Sequence, residues 1–398
     1  MKPSIPTNEL IRNFFAENNF NSIYTHSVIK HLMAFLIAMS LKGFRAKMVD
    51  IAEVSSNHRT TLSHFLCKGK WNEEPLRDFI KSHSLQYIQK VSTNTGKPMF
   101  ISIDDTVNIK SKPSYKAERP IEGTEYHYSH LENKQVWGHQ AVAVMLSCDN
   151  IALNHEIHWY DKTKQSKIEY VRQLADGLPQ ASNRSYVLTD SWYTCSDLIT
   201  AFAKKGYFYI GALKTNRMIY PHGVNISISD FVLEVLQKNS YNLVTVNGKE
   251  YYTYRYEGNL NDINNAIVII TLPKKGGFDG QHPNPKTINS FLCSDASLDT
   301  VTILEYYSER WCIEIFFEQE KGQLGFSKYQ IRTMKGIERL WLIMSLCHLV
   351  CSVGLGDAMP FGDGLRYLRR NIYQERIASI YHLAQNNVPL EDIYALCA

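Results

Sequence analysis

Residues 100–106 read Phe-Ile-Ser-Ile-Asp-Asp-Thr, and this stretch decides the expected fold. A short apolar run typical of a buried strand ends directly in carboxylates. A second such run, residues 186–189, ends at Asp190. Ligand sites form at the ends of strands in an α/β sheet, where a carboxylate is costly to bury unless a cation meets it. The two stretches predict an α/β domain in which Asp104 and Asp190 belong to one site.

Composition and charge narrow the class of protein. The chain has 398 residues, of which 44% are hydrophobic and 21% charged, as in ordinary folded proteins. The net charge of +4 excludes a histone-like polycation, but residues 1–100 hold 13 Lys+Arg against 7 Asp+Glu. This local excess mildly favours an anionic partner, nucleic acid first, but an excess of this size is common, and on charge alone a solvated surface without a partner is the better explanation.

The cysteine pattern and the apolar runs bear on the compartment. The eight cysteines form no C-x-x-C pair and no disulfide-like framework, which is typical of a reducing compartment. The longest apolar run, residues 32–39, is too short to span a bilayer. We therefore expect a cytoplasmic protein that does not use a membrane.

The first segment, residues 1–97, is expected to be a helical DNA-binding domain. Residues 47–66 suggest a short helix, a turn, and a second helix over 58–66 that Ser56 or Asn57 would cap. Its outer face would carry His58, Arg59 and Thr61, which a helix-turn-helix could place against base edges. Plain helix packing explains the same pattern.

The remaining segments alternate strands and helices. Residues 98–214 predict the first part of a mixed-sheet core, with a hairpin at Asp149-Asn150 and a long loop over 108–135 carrying His127 and His130 at the surface. Residues 215–290 predict an all-β insertion, and residues 291–360 the second part of the core. One helix is expected over 298–324 and another over 336–353, and the tail, 361–398, is expected to hold two shorter helices.

The helix near its C-terminal end carries a polar stripe. Its sequence from 306 to 321 is Tyr-Tyr-Ser-Glu-Arg-Trp-Cys-Ile-Glu-Ile-Phe-Phe-Glu-Gln-Glu-Lys. Apolar residues, including Trp311 and Ile315, cover most of the circumference, which predicts a buried helix. At 3.6 residues per turn, the polar residues of the stripe lie within about 60° of one another around the helix axis. The residues of this stripe are Tyr307, Arg310, Glu314 and Lys321.

A charged stripe on a buried helix needs a partner. One interpretation is an internal Arg310–Glu314 pair, and the other is a site in which Glu314 joins Asp104 and Asp190, with Glu318 as a rival. Neighbouring carboxylates repel each other, and a divalent ion that prefers oxygen ligands, Mg²⁺ or Mn²⁺, resolves the conflict. Either aspartate taken alone is better explained by a turn or a helix cap.

The spacing Y-x2-R-x3-E-x6-K, formed by Tyr307, Arg310, Glu314 and Lys321, resembles the C-terminal signature of DDE transposases from bacterial insertion sequences, in the insertion-sequence-four group. Residues 103–106, Ile-Asp-Asp-Thr, resemble the family's first-strand motif, and residues 187–193 resemble the segment carrying the second aspartate. Register with the Asp-x-Thr pattern favours Asp104 over Asp105 as the first acid.

The resemblance implies an RNase H-like fold and a two-metal site. Two Mg²⁺ ions, or Mn²⁺, would be held by Asp104, Asp190 and Glu314, and the phosphates of a transposon end by Tyr307, Arg310 and Lys321. The implied function is cut-and-paste DNA transposition: cleavage of the inverted-repeat ends and strand transfer into target DNA, by a homodimer, in the bacterial cytoplasm at the nucleoid. The alternative is a DNA-binding protein without catalysis, such as a domesticated transposase acting as a regulator.

Overall fold

The computed structural model describes residues 8–55, 57–129 and 132–397. Its N-terminal part is helical, as predicted. The helices before the first strand are α1 (Glu9–Glu17), α2 (Phe20–Ile23), α3 (His26–Ser40), α4 (Met48–Ala52), α5 (Arg59–Cys67) and α6 (Glu74–Thr95).

The central part alternates strands and helices. In chain order its elements are β1 (Met99–Ile109), β2 (Glu125–Ser129), β3 (Lys134–Cys148), β4 (Ile151–Tyr160), α7 (Lys167–Gly177), β5 (Ser185–Thr189), α8 (Ser196–Ala203) and β6 (Phe208–Leu213). The following segment contains β7 (Met218–Ile219), β8 (Ile226–Ser227), α9 (Ile228–Asp230), β9 (Asn242–Val246), β10 (Lys249–Gly258), β11 (Ala266–Pro273), β12 (Phe278–Asp279), β13 (His282–Pro283) and β14 (Asn289–Cys293). The chain continues with α10 (Thr300–Ser308), α11 (Trp311–Gln323), α12 (Met334–Val353), α13 (Phe361–Gln385) and α14 (Leu390–Cys397).

One mixed sheet organises the described chain. Its strand order is β2-β3-β1-β5-β6-β14-β11-β10-β9, and β4 pairs with β3. The pairs β1–β5 and β5–β6 are parallel, whereas β3 is antiparallel to both β1 and β4. The predicted α/β class with a mixed sheet is therefore confirmed. The strands of the predicted insertion, β9 to β11, continue this sheet through β14.

Local sequence explains the central elements. All five residues of β5 are buried, as expected for a strand with a parallel neighbour on each side. The predicted hairpin is present between β3 and β4. Asp149 and Asn150 at its tip have φ angles of +49° and +65°, the left-handed conformation that a two-residue hairpin turn requires.

The predicted loop over 108–135 is wrong in part. Strand β1 runs on to Ile109, and β2 pairs with the start of β3, so that His127 is buried and not at the surface. The alternation of apolar residues in β2 is too short to separate from a loop by sequence. His130 lies outside the described residues.

The prediction of one continuous helix over 298–324 is also wrong. One turn divides this segment into α10 and α11. In that turn the Arg310 N–H donates to Tyr307 O, and the Ile313 N–H donates to Arg310 O, both at 3.1 Å. Such i→i−3 hydrogen bonds tighten a helix locally. Helix α11 is not buried all round either, because Trp311 is 60% exposed and Ile315 41%.

The other C-terminal helices build the core. Helix α12 is long and apolar enough to cross a membrane, but 89% of its most apolar stretch is buried in the protein, as in the core helix of a soluble protein. The two helices predicted for the tail are present as α13 and α14, but α13, at 25 residues, is longer than expected. One hydrophobic cluster extends from Ile11 in α1 to Ile372 in α13, so the N-terminal helices and the sheet share a core.

The predicted helix-turn-helix is present as α4 and α5. Asn57 does not cap α5; His58 does, its ring Nδ1 accepting from the Thr60 N–H at 3.3 Å, and Ser56 lies outside the described residues. Below α5, the buried Arg339 of α12 binds the end of the helix. Its guanidinium donates to the carbonyls of Phe65, Leu66, Gly69 and Trp71.

Candidate active site

The sheet brings Asp104 and Asp190 together. Strands β1 and β5 run parallel with Ile103 opposite Thr189, so the next residue on each strand is an aspartate. Helix α11 packs against β1 and β3 and supplies Glu314. Asp190 follows the end of β5, as predicted, whereas Asp104 lies inside β1, which continues to Ile109 through its pairing with β3; the two aspartates meet where the parallel pairing of β1 with β5 ends, and α11 brings Glu314 to the same place.

Arg310 joins two of these acids. Its Nη1 lies 2.9 Å from Asp104 Oδ2, and its Nη2 donates to Glu314 Oε1. Only 15% of the Arg310 side chain is exposed, against 21% for Asp104 and 35% for Glu314. The Arg310–Glu314 pair that the sequence left open therefore exists, but it is one half of a bridge that reaches the sheet.

Burial and neighbouring charge act on Asp104 in opposite senses. The pKa of Asp104 is raised to about 7 as the net effect of burial, which raises it most, the Arg310 guanidinium, which lowers it, and the carboxylates of Asp190 and Asp105, which raise it. A carboxyl group at a crowded acidic point is stabilised in its charged form by a cation. One arginine therefore does not fully balance the acids around Asp104.

Asp190 begins a tight turn. Its Oδ1 accepts from the backbone N–H of Trp192 at 2.9 Å and of Tyr193 at 3.3 Å. The interpretation as a turn residue is thus correct for one carboxylate oxygen. Its Oδ2 makes no hydrogen bond to the described residues and remains available to a ligand.

Asp105 has different partners from Asp104. Its carboxylate lies 2.7 Å from Lys167 Nζ, accepts from the Tyr193 hydroxyl at 2.8 Å, and accepts from the Gln140 amide. Successive residues of a strand point to opposite faces. Asp105 is therefore a partnered residue that braces the Asp190 turn through Tyr193, and the geometry favours Asp104 for the site.

Sequence reasoning missed Lys167, Tyr193, Gln140 and Thr106. Tyr193 had a usable signal, since it stands three residues after Asp190 in the motif already identified. Lys167 had none: it reaches Asp105 from the start of α7, 62 residues away, and its ammonium also lies 4.2 Å from the Trp192 ring centroid.

The other members of the polar stripe contact different strands, Lys321 a residue of β1 and Tyr307 a residue of β14. Lys321 Nζ donates to Thr106 Oγ1 at 2.6 Å, and burial lowers the pKa of Lys321. Tyr307 packs on Phe291 with 4.6 Å between ring centroids and lies beside Arg310. Glu318 is exposed and makes no ion pair within the described chain, so it has no contact with the site.

The predicted DNA-reading residues are exposed but lie elsewhere. His58, Arg59 and Thr61 are all exposed on α5, which packs on α12 and not on α11. The structure therefore does not bring them to the three acids.

The donor set has the right chemistry for a divalent metal ion. Asp104, Asp190 and Glu314 offer hard carboxylate oxygens, the preferred ligands of Mg²⁺ and Mn²⁺. Two of them already converge on a cation, the Arg310 guanidinium. Across residues 8–55, 57–129 and 132–397, however, no three His, Cys, Asp or Glu side chains lie close enough to hold a metal ion. To hold a metal ion, these carboxylates would have to come closer together, with Arg310 displaced from Asp104 and Glu314.

Acids on neighbouring parallel strands, faced by a helix with basic residues, are suited to binding cations and the phosphate groups of a substrate. Residues 120–350, more than half of the chain, match the family described as the transposase DDE domain, and the chain belongs to this family. The matched segment contains Asp190 and Glu314 and begins after Asp104. The membership confirms the expected DDE transposase.

Comparisons of the whole chain with curated proteins and with solved structures give weaker support than the family match. No curated protein matches the sequence. Among solved structures, a cryo-EM structure of the piggyBac transposase synaptic complex with hairpin DNA matches at 11% identity and a TM-score of 0.43, over 92% of this chain and 78% of that chain. A TM-score of this size does not by itself establish a common fold.

Proposed function

We propose that this protein is an active cut-and-paste transposase of the insertion-sequence-four group, with an RNase H-like core. It cleaves the inverted-repeat ends of its element and transfers them to target DNA. The observation that carries the proposal is that Arg310 joins Asp104 to Glu314, with Asp190 beside Asp104 on the neighbouring parallel strand, in a chain of the DDE family. The work would take place in the bacterial cytoplasm, on the nucleoid.

Asp104, Asp190 and Glu314 would hold two Mg²⁺ ions, or Mn²⁺. When bound, these ions supply activation of the attacking water or 3′-hydroxyl and stabilisation of the leaving oxygen. The chain's own part is to keep the carboxylates in place. The Tyr193–Asp105 hydrogen bond does so for the Asp190 turn, because it fixes the residue that closes that turn.

Lys321 supports a phosphate partner. Its ammonium is half-buried, bonded to a hydroxyl, and no carboxylate among the described residues lies within ion-pair distance. A buried charge without a counter-ion is expensive, and a DNA phosphate would supply one. Tyr307 and Arg310 flank the same surface and would act with it, while His58, Arg59 and Thr61 on α5 would read the element's end. A homodimer would pair two such ends.

The test is cleavage of a labelled inverted-repeat duplex in Mg²⁺. Asp190→Asn and Glu314→Gln each remove one carboxylate charge and keep the shape, so cleavage should fall by about 10³-fold or more, equivalent to about 4 kcal/mol of transition-state stabilisation. Glu318→Gln is the matched control, because it makes the same change four residues along α11 on an exposed side chain, and it should cleave normally.

Two results would overturn the proposal. If Glu314→Gln cleaves as fast as the wild type while Glu318→Gln does not, the acid has been assigned to the wrong residue. If the wild type cleaves no DNA with any divalent ion, yet binds the repeat in a salt-sensitive way that survives loss of all three acids, the protein is a DNA-binding regulator without catalysis.

A further inference from the structure

Arg310 stands where the proposed metal ligands converge. Each of its two terminal nitrogens binds a different acid: Nη1 the Asp104 carboxylate and Nη2 the Glu314 carboxylate. No other arginine or lysine in the described chain contacts either of these acids. A single side chain therefore neutralises two of the three groups that the proposed reaction requires.

An arginine and a divalent ion cannot both use these oxygens. A metal ligand oxygen lies about 2.0–2.6 Å from its ion, and a guanidinium at hydrogen-bond distance occupies the same side of the carboxylate. Two cations on one carboxylate also repel each other. Binding of a metal ion through Asp104 Oδ2 and Glu314 Oε1 therefore requires the guanidinium to leave.

The surroundings of Arg310 permit that movement. The residue lies in the turn between α10 and α11, where i→i−3 hydrogen bonds interrupt the regular helix, and such turns often mark hinges. Its side chain is partly exposed, and its bonds are to side-chain carboxylates, which a metal ion can take over without breaking backbone structure.

We infer that Arg310 is an exchangeable internal cation that competes with the metal ion for Asp104 and Glu314 and is released to a DNA phosphate when the site is loaded. This inference rests on the proposed function and adds a coupling to it. A phosphate that draws Arg310 away frees the carboxylates, so DNA and metal ion strengthen each other's binding by the same factor. The protein without DNA then binds the metal ion weakly.

The test measures metal binding and not catalysis. Mn²⁺ is titrated into the DNA-free protein, and free Mn²⁺ is followed by its EPR signal. In Arg310→Ala the affinity should rise at least about tenfold over the wild type. The melting temperature without metal should fall, because two carboxylates lose their cation, and Mn²⁺ should raise it by more than in the wild type.

Two further variants make the result decisive. Arg172→Ala is the matched control: Arg172 likewise bridges two carboxylates, Glu169 at 2.7 Å and Asp176 at 3.3 Å, but on the outer face of α7. It should leave Mn²⁺ affinity unchanged. Arg310→Lys keeps the charge on a single nitrogen, and should give an intermediate affinity even if the alanine variant folds poorly.

Unchanged or weaker Mn²⁺ binding in both Arg310 variants overturns the inference. So does an equal gain in Arg172→Ala, since the effect would then come from net charge alone. Failure of this test is separable from failure of the proposed function. A wild type that cleaves inverted repeats while Arg310→Ala shows no gain refutes only the exchange, whereas an absence of cleavage refutes the function.

Discussion

Two arginines, Arg310 and Arg339, hold this molecule together in different ways. Arg310 is 15% exposed, and its two ion-pair partners are the carboxylates of Asp104 and Glu314. Arg339 is 1% exposed and binds four backbone carbonyls at the end of α5, together with the Glu73 carboxylate at 2.8 Å.

The partners decide what each arginine can do. A carboxylate can exchange one cation for another, so a bond to it is reversible without unfolding. A buried carbonyl that loses its donor has no substitute and costs free energy. The comparison separates a replaceable cation in the site from a fixed one in the scaffold.

The largest expected effect is a loss of stability on removal of Arg339, the arginine of the scaffold. Arg339→Ala removes a buried charge and leaves Glu73 and several carbonyls unpaired, which should lower the free energy of unfolding by about 3–5 kcal/mol. Urea denaturation measures this change. Arg370→Ala, on an exposed part of α13, should change the stability by less than about 0.5 kcal/mol. Equal effects of the two variants would contradict the fixed role of Arg339.

The next effect concerns pH and the same helix. His348 of α12 is buried between the rings of Phe316 and Phe361, and burial lowers its pKa to about 3. The unfolded chain binds this proton more readily, so the contribution of His348 to stability is complete above about pH 6.5 and is lost as the pH falls towards 3. By pH 4.5 the loss should reach about 2–3 kcal/mol.

His348→Leu should flatten this pH dependence, measured as the free energy of unfolding between pH 7 and 4.5. His382→Leu alters a surface histidine of α13 and should retain the wild-type slope. A wild-type slope in His348→Leu would mean that other groups carry the acid sensitivity.

In the candidate active site, Tyr193→Phe tests whether the Tyr193–Asp105 hydrogen bond supports the Asp190 turn. It removes the hydroxyl that binds Asp105 at 2.8 Å but keeps the ring in place. Cleavage should fall about 10–100-fold, the usual cost of losing an outer-shell partner of a ligand, with a small loss of stability. Tyr207→Phe is matched, because its hydroxyl bonds only to the Pro179 carbonyl away from the acids, and should cleave normally. If Tyr193→Phe cleaves at the wild-type rate, the Tyr193 hydroxyl has no role in positioning Asp190 for cleavage.

The smallest effect is that of one phosphate contact. Lys321→Ala should weaken binding of the inverted-repeat duplex and lower the slope of log K against log salt by about 0.9. The change is read from binding isotherms at several salt concentrations. An unaltered slope would place Lys321 in a purely structural role beside Thr106.

Much of the fold followed from short stretches of sequence. The strand runs before Asp104 and Asp190, the Asp149-Asn150 hairpin and the helix near 336–353 are all local patterns, and all are present. The errors fall where tertiary contacts decide. Strand β2 exists because the start of β3 pairs with it, and the break between α10 and α11 occurs at the residue that reaches across to β1.

The sequence by itself determined which residue types stand at the strand ends and on the stripe of α11, because these depend on local periodicity and spacing. Only the tertiary structure decided which acid meets which cation. It joined Asp104 to Arg310, 206 residues apart, and Asp105 to Lys167 and Tyr193. The physical reason is that charge pairing acts through space, and the sheet register, not the distance along the chain, determines which side chains face one another.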